Sequence, residues 1–550
     1  MPKVAIIGAG VSGLVAIKEC IAHKIEPVCF EKSHDIGGLW RYKETDASGE
    51  PSVMKSTVIN TSKEMIAFSD FPPPEEYPIY MHHKQLLQYF RLYVDHFNLS
   101  PHIKFNTNVV NVQKASDYDA SGKWDVSFVA AGAKEPTSAT FDGVLLCTGH
   151  HTLPYMPKLD GMEKFEGTVM HSQSYKKPVG YENKTVLVVG TGNSAVDISV
   201  ELSRTAKKVY LSAHRGFWIW TRMGHFGFPN DMLANYRLSY WFSKNTPSVV
   251  NVTFQNRMNK RFNHHLYGLD PDHKFLQQHP VISDEFPNRI LTGTLQIKPA
   301  IADVGPRWVK FTDGTLLRDV DTLIMATGYN IKYPYLQKGI ITVDENKVDL
   351  YQNMYPPNLP HATLAVIGCI QPLGVIGPVS EMQCRLYAAV LTGQAQLPPA
   401  DTMRKHIDKT QNELKPRCRT IQIDYVTCME EMAELIGVRP KVWRLLITDP
   451  VLGWELLLGA AVPYHYRLTG PHSWSEARDT IRNVWNRVKA PMKKPLPVGE
   501  KPPGPKSFVV EYFTKLVVTH RPHIILGLLI TLSIIIPNII GAASIARKYC

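Results

Sequence analysis

At 550 residues the chain is too long for one ordinary hydrophobic core, so two or more structural units are expected. Its 44% apolar and 20% charged content excludes global disorder, and a net charge of +12 favours anionic partners such as phosphate-bearing cofactors or a membrane face. Lys and Arg are spread through the chain without an aromatic-basic recognition module, so no nucleic-acid partner is expected.

The first element is a strand. Val4-Ala5-Ile6-Ile7 is a short apolar run of the kind buried on both faces of a parallel sheet. Gly8-Ala9-Gly10-Val11-Ser12-Gly13 follows it and opens a helix, fitting G-x-G-x-x-G. In that pattern Gly8 makes the turn, Gly10 lets a pyrophosphate approach, and Gly13 allows close helix–strand packing. The helix N-terminal amides then meet phosphate charge. Glu31 closes the next expected strand about 20 residues on, where a carboxylate can bind ribose hydroxyls. Because this explains the N-terminal apolar stretch, no cleavable signal is expected.

A second unit starts near Thr185, where Val186-Leu187-Val188-Val189 leads into Gly190-Thr191-Gly192-Asn193-Ser194-Ala195, with Ala195 at the third glycine position. Its partner strand, Val209-Tyr210-Leu211, ends in Ser212-Ala213-His214-Arg215 instead of an acid. A carboxylate there would repel a 2′-phosphate; Arg215 would pair with it and Ser212 could donate to it, favouring NADPH over NADH. The alternative is an ordinary surface arginine. Strands 144–147 and 323–326 end in similar Thr-Gly turns on either side of this unit, which implies a discontinuous first domain.

The 215–289 stretch is rich in aromatic, Asn and His residues and reads as a mostly helical insertion near the active site. Helical patterns dominate 398–489, with Trp443, Trp454, Trp474 and Trp485 expected as packing anchors. Residues 491–506 carry six prolines, as a semi-rigid linker would. Ile524 to Ala546 is uncharged and would span ~34 Å as a helix, with Arg521 before it and Arg547-Lys548 after it. A membrane-anchoring helix is expected there, crossing or only entering the bilayer.

The expected fold is therefore α/β, with two Rossmann-like dinucleotide-binding domains, a helical insertion and a C-terminal membrane helix. The expected boundaries are 1–152 with 326–445 for FAD and 153–214 with 290–325 for NADPH. Then come 215–289 for the insertion, 446–490 for the C-terminal helical region, 491–522 for the linker and 523–546 for the anchor.

Two dinucleotide sites suggest a hydride passed from nicotinamide to flavin. Disulfide reductases of this plan need a redox cysteine pair, and none of the eight cysteines forms C-x-x-C; they read as free, buried thiols of a reducing compartment. Phe165-Glu166-Gly167-Thr168-Val169-Met170-His171-Ser172-Gln173-Ser174-Tyr175 resembles the F-x-G-x-x-x-H-x-x-x-[YF] signature of the flavin-containing monooxygenases. Glu31-Lys32 with Gly37-Gly38-Leu39-Trp40-Arg41, the Asn60–Met65 segment, Ala326-Thr327-Gly328-Tyr329 and Gln371-Pro372-Leu373-Gly374 resemble further motifs of that family. Gln278-His279-Pro280 and Asn288-Arg289-Ile290 are most similar to its vertebrate type-five branch.

The resemblance implies that NADPH reduces FAD, that reduced flavin and molecular oxygen form a C4a-(hydro)peroxyflavin, and that retained NADP⁺ shields it. The protein then supplies orientation, hydrogen bonds and water exclusion, with no metal and no catalytic triad. It implies that Asn60, the catalytic candidate, sits near flavin and nicotinamide, with its amide able to donate and accept. It further implies that Leu39, Trp40 and Thr61 contact FAD, and that Ser194, Asp197 and Gln371 contact NADP. Gly8, Ala9, Gly10, Val11, Ser12, Gly13 and Glu31 complete the expected FAD site; Gly190, Gly192, Asn193, Ala195, Ser212 and Arg215 complete that for NADP. His171 is expected to hydrogen-bond the interdomain linker, and Phe165 and Tyr175 to pack. His279 is left between a surface or capping role and a functional one.

The leading function is oxygenation of small lipophilic amines and sulfides. The alternatives are Baeyer–Villiger oxidation of ketones, NADPH oxidation releasing peroxide, or a non-catalytic membrane-tethered binding protein. Tyr175 stands where dedicated Baeyer–Villiger enzymes usually carry Trp. The resemblance also implies an endoplasmic reticulum membrane location with the catalytic part in the cytosol; a homo-oligomer is left open.

Overall fold

The structure is a computed structural model, and it describes residues 1–45, 50–372, 374, 376–414 and 421–492. The linker beyond Met492 and the apolar stretch Ile524–Ala546 lie outside the described residues. Among the described residues no helix is long and apolar enough to cross a membrane.

The elements that carry the site are, in chain order, β1 (Lys3–Ile7), α1 (Val11–Ala22), β2 (Glu26–Phe30), β3 (Ile103–Lys104), β4 (Gly143–Leu146), β5 (Thr168–His171), β6 (Thr185–Val189), α2 (Asn193–Leu202), β7 (Lys208–Ser212), β8 (Leu295–Lys298), β9 (Thr322–Met325), β10 (Leu364–Val366) and α3 (Ile376–Leu391). Two five-stranded parallel sheets result, ordered β10–β4–β1–β2–β3 and β8–β7–β6–β9–β5. The chain is α/β.

The apolar runs are continuous because each sheet is covered on both sides. Val4 and Ile6 enter one core with α1 and α3, whereas Ala5 and Ile7 enter another. That second core is closed by an antiparallel meander, Thr107–Lys114, Trp124–Ala130 and Thr137–Phe141, through Val109, Val112, Trp124 and Phe141. The second sheet repeats the plan. Val186 and Val188 pack under α2, and Leu187 packs against a smaller meander over 301–318. Neither meander stands out in the sequence.

The chain crosses between the sheets twice, and the crossings pair with each other as the antiparallel strands Leu153–Pro154 and Tyr329–Asn330. His171, at the end of β5, fastens this junction. Its Nε2 lies 2.9 Å from the Gly328 carbonyl, and its Nδ1 accepts the Gln173 amide at 3.1 Å. Burial lowers its pKa, and both ring nitrogens are used in the neutral form. Tyr175 is buried, with its hydroxyl donating to Glu201 at 2.7 Å.

Residues 215–289 hold the helices Asn230–Ala234, Arg237–Asn245, Pro247–Arg261 and Phe286–Leu291. They also hold a short parallel strand pair, Ile219–Trp220 with Val281–Ile282, which was not expected. The tryptophan anchors are corrected in part. Trp485 is buried and Trp474 packs on the core, but Trp443 is 69% exposed and Trp454 50%. Their helices instead turn Leu445, Leu452 and Leu456 inward.

The C-terminal described segment is held by buried charge. Arg467 reaches Glu19 at 2.6 Å, Glu381 at 3.0 Å and Asp70 at 3.1 Å, and Lys18 pairs with Glu19 and Asp70. The three carboxylates have metal-like spacing, but the arginine and lysine are their counter-ions. Farther along, Arg487 pairs with buried Glu64 at 3.1 Å, and Tyr464 donates to the same carboxylate. The six described cysteines are free and buried; Cys418 and Cys550 lie outside the described residues.

Candidate active site

The first glycine turn follows β1. Gly8 has φ +101°, in the left-handed region where a Cβ is costly. A Cβ on Gly13 would sit 1.9 Å from the Gly8 carbonyl oxygen, so α1 can approach β1 only with glycine there. At Gly10 a Cβ would meet nothing nearer than Gly38 Cα at 3.8 Å, so that face is open for a ligand. No side chain among the described residues caps α1, and its first turn holds no acid. Its leading amides therefore need an external acceptor, as a pyrophosphate would be.

Glu31 is drawn into this turn. Its Oε2 accepts the Ala9 amide at 2.7 Å, and its Oε1 accepts the amide and hydroxyl of Ser33 at 2.9 and 2.7 Å. A carboxylate offers about four acceptor positions, so capacity remains for a ribose hydroxyl. Leu39 and Trp40 stand on a 3-10 turn, Gly38–Trp40, fastened to the fingerprint by the Gly37 amide on the Ala9 carbonyl at 3.0 Å. Ser12 faces Ser380 at 3.1 Å, and Val11 lies beside Gly377.

The second turn is more open. Gly190 has φ +146°, and a Cβ there would meet the Ala326 carbonyl at 2.3 Å, whereas Gly192 has nothing within 4 Å. Ala195 is fully buried, its methyl fitting where the first turn needs a bare glycine. The start of α2 likewise has no side-chain cap among the described residues and no acid in its first turn. Asn193 Oδ1 accepts the Ile282 amide at 2.8 Å, while Ser194 is exposed. Burial raises the Asp197 carboxyl to about 7 against the pull of Arg222.

At the end of β7, Ser212 is buried and its hydroxyl donates to the Pro299 carbonyl at 2.7 Å, so its proton is already committed. Arg215 stands at the surface beside Asp272, 3.9 Å away.

Beside the second turn lies a cavity of about 240 Å³. Asn60 and Thr61 reach it from the first unit and Asn193 from the second fingerprint; Gly374, His279 and Asp231 also line it. Thr61 Oγ1 donates to the Gly374 carbonyl at 3.4 Å, joining the Asn60 loop to the loop that follows half-buried Gln371. One wall is aromatic, with Trp220, Phe254 and Phe275 stacked at 4.8–5.2 Å between ring centroids. His279 has Nδ1 2.8 Å from the Pro280 carbonyl and belongs to this lining.

Three residues here escape sequence reading. Arg222 donates to Asn60 Oδ1 at 2.6 Å and lies 3.5 Å from Asp284. Asp231 accepts the amide and hydroxyl of Ser62 at 2.7 and 2.8 Å, and burial raises its pKa. The Tyr80 hydroxyl lies 2.7 Å from the Arg222 carbonyl and 3.2 Å from Asp231. Arg222 follows the aromatic run Phe217–Trp220 closely, and Asp231 and Tyr80 lie in no motif.

Comparison with known proteins accords with this architecture. A family profile described as flavin-binding monooxygenase-like matches residues 1–526. Flavin-containing monooxygenase 5 of Oryctolagus cuniculus is 46% identical over 498 residues, covering 89% of this chain and 93% of that protein. Dimethylaniline monooxygenase [N-oxide-forming] 2 of Rattus norvegicus is 42% identical over 499 residues, with the same coverage. Among solved structures, S-allyl-L-cysteine S-oxygenase from Allium sativum superposes with a TM-score of 0.61 at 24% identity, covering 87% of this chain and 98% of that one. The chain is a flavin-dependent oxygenating enzyme, and it belongs to the flavin-containing monooxygenase family.

Proposed function

We propose that FAD lies along the first turn, against Gly8–Gly13, Glu31, Leu39, Trp40, Asn60 and Thr61, and that NADPH lies along the second. There Gly190, Gly192, Asn193, Ser194, Ala195 and Asp197 hold the nicotinamide dinucleotide, Arg215 takes its 2′-phosphate, and Gln371 contacts it from the far side. Ser212 supports the strand end through Pro299 and, with its proton committed, serves only as an acceptor unless it rotates. This assignment makes 1–152 with 326–445 the FAD unit and 153–214 with 290–325 the NADPH unit.

One observation carries the reading: Asn60 from the first unit and Asn193 from the second fingerprint line the same cavity. Two dinucleotides seated on these turns can bring their reactive ends together only where both units contribute a wall. FAD supplies the hydride acceptance and oxygen chemistry; the chain supplies the rest. Asn60 hydrogen-bonds at the junction, α1 and α2 hold phosphate charge, and the Trp220–Phe254–Phe275 wall excludes water and receives an apolar substrate.

Small lipophilic amines and sulfides are the proposed substrates, since the wall of Trp220, Phe254 and Phe275 is apolar. Reconstituted enzyme given NADPH, oxygen and either a thioether or an aliphatic ketone should yield sulfoxide in preference to ester. Ester as the main product would make ketones the substrate class, and peroxide alone from both would make the chain an oxidase. The uncharged 524–546 stretch would anchor the enzyme to the endoplasmic reticulum bilayer with its catalytic units in the cytosol. Carbonate extraction of membranes, which strips peripheral proteins, should leave the full chain in the pellet.

A further inference from the structure

The loop bearing Asn60 is gripped from both sides by the 215–289 insertion. On one flank Arg222 donates to the Ile59 carbonyl at 3.3 Å, the Val58 carbonyl at 3.4 Å and Asn60 Oδ1 at 2.6 Å. On the other, Asp231 accepts the Ser62 amide and hydroxyl at 2.7 and 2.8 Å. Tyr80 bridges the two grips, its single proton shared between the Arg222 carbonyl and Asp231. Four of the five residues 58–62 are thus held by two side chains that arrive from elsewhere in the sequence.

This geometry settles which end of the Asn60 amide faces which way. A guanidinium has five donors and no acceptor, so the atom 2.6 Å from Arg222 Nη2 must be the carbonyl oxygen. The amide NH₂ is then the end free to turn from Arg222 toward the cavity. Arg222 itself is held in register by Asp284 at 3.5 Å, and removing it would leave the Asn60 amide free to rotate by half a turn.

We propose that Arg222 and Asp231 are positioning residues that orient Asn60 as a hydrogen-bond donor toward the bound flavin and nicotinamide, so that the insertion sets how tightly NADPH oxidation is coupled to substrate oxygenation. The proposal rests on the reading that Asn60 meets both cofactors. In the coupled reaction NADPH, a proton, oxygen and a thioether give NADP⁺, water and sulfoxide; in the uncoupled one NADPH, a proton and oxygen give NADP⁺ and hydrogen peroxide. A misoriented amide shifts flux from the first to the second without stopping NADPH consumption.

The test is a double-mutant cycle on full-length, FAD-loaded enzyme with methyl phenyl sulfide. Two readouts are followed: the peroxide-to-sulfoxide ratio, and the change in flavin absorbance on adding NADP⁺ to the oxidised enzyme. Asn60→Ala should raise the ratio about 10-fold, the usual effect of deleting one hydrogen bond to a buried partner. Arg222→Gln should raise it by a similar factor and alter the NADP⁺-induced spectrum. Asp231→Asn, which keeps one acceptor for Ser62, should raise it roughly 3-fold. The Asn60→Ala/Arg222→Gln enzyme should be no worse than Asn60→Ala alone. Arg222→Lys, which keeps the charge but not the fork, should recover part of the coupling, and it replaces Arg222→Gln if that variant fails to retain FAD.

Multiplying effects would overturn the proposal, because Arg222 would then act on the cofactors independently of Asn60. So would an Arg222→Gln enzyme with normal coupling beside an impaired Asn60→Ala enzyme. If Asn60→Ala leaves both readouts unchanged, the placement of Asn60 at the cofactors fails, and the positioning role fails with it.

Discussion

The two glycine turns share a plan and differ in finish. At the first, the acid that closes the partner strand is folded back into the turn, held by Ala9 and Ser33, and the helix is pressed so close to the strand that only glycine fits at position 13. At the second, the same helical position accepts a methyl, Gly192 faces empty space, and the charged group at the strand end is a surface arginine beside Asp272. The difference teaches that a fingerprint can be built either as a closed seat, whose ligand is part of the core, or as an open dock. On the proposed assignment these suit a resident FAD and an NADPH that enters and leaves with each turnover.

The comparison breaks most readily at Gly13. Gly13→Ala forces a carbon to within 1.9 Å of a carbonyl oxygen, and destabilisation at or beyond the top of the ~1–3 kcal/mol range for overpacking should follow, with loss of bound flavin. A yellow Gly13→Ala protein with an unchanged melting temperature would mean the seat is not closed.

Next in size is Arg215→Ala, which should raise the NADPH KM about 10-fold, the equivalent of one charged hydrogen bond, and leave the NADH KM alone. Equal change with both coenzymes would remove the arginine from the 2′-phosphate.

Acidification should separate the two regions as well. Buried His264 in the insertion accepts the Ile219 amide at 3.1 Å, and burial lowers its pKa from 6.5 to about 4. A depressed histidine is neutral in the fold, so its contribution is intact above pH 6.5 and is lost as pH falls toward 4. Glu19 in the first unit is also depressed: burial works against ionisation, but Lys18 and Arg467 outweigh it. Its contribution is complete above its ordinary value of 4.5 and is lost only as pH falls below that. Hydrogen exchange in the insertion should therefore speed up as pH falls from 6.5 toward 4, and His264→Gln should reduce that change.

Smaller still, Gly192→Ala should leave stability within about 0.5 kcal/mol, since its Cβ meets nothing within 4 Å, and on the proposed assignment it should raise the NADPH KM severalfold. Asp272→Asn, which frees Arg215 from an exposed carboxylate, should lower the NADPH KM by less than about 3-fold. A rise instead would show that the aspartate positions the arginine.

What could be read from the sequence follows from how local each signal is. The strand–glycine–helix units were legible because a run such as Val186–Val189 and the glycines after it are contiguous, and their chemistry depends on spacing alone. The junction role of His171 was legible from its place after a strand. The meander over 107–141 was not, because its pairing is set by contacts with a sheet whose other strands lie far away in the chain. The misplaced anchors, Trp443 and Trp454, show the same limit: a large apolar residue says what it prefers, but which face of a helix turns inward is decided by Leu445, Leu452 and Leu456 together. Arg222 and Asp231 lie in no motif, and they matter only because the fold carries them to Asn60. Ser212 was read as a donor to the ligand, yet Pro299, 87 residues on, takes its proton.

The buried arginines near the end of the described chain set where the enzyme can be shortened. Arg467 is counter-ion to Glu19, Asp70 and Glu381, and Arg487 to Glu64, all four acids lying in the first unit. A stop placed ahead of Arg487 takes the counter-ion from Glu64, and a stop ahead of Arg467 also takes that of Glu381 and leaves Glu19 and Asp70 to Lys18, at roughly 3–5 kcal/mol for a stranded carboxylate. A version that dispenses with the apolar tail must therefore keep both of these interior cations, and a cut anywhere after Arg487 leaves every one of these acids its partner.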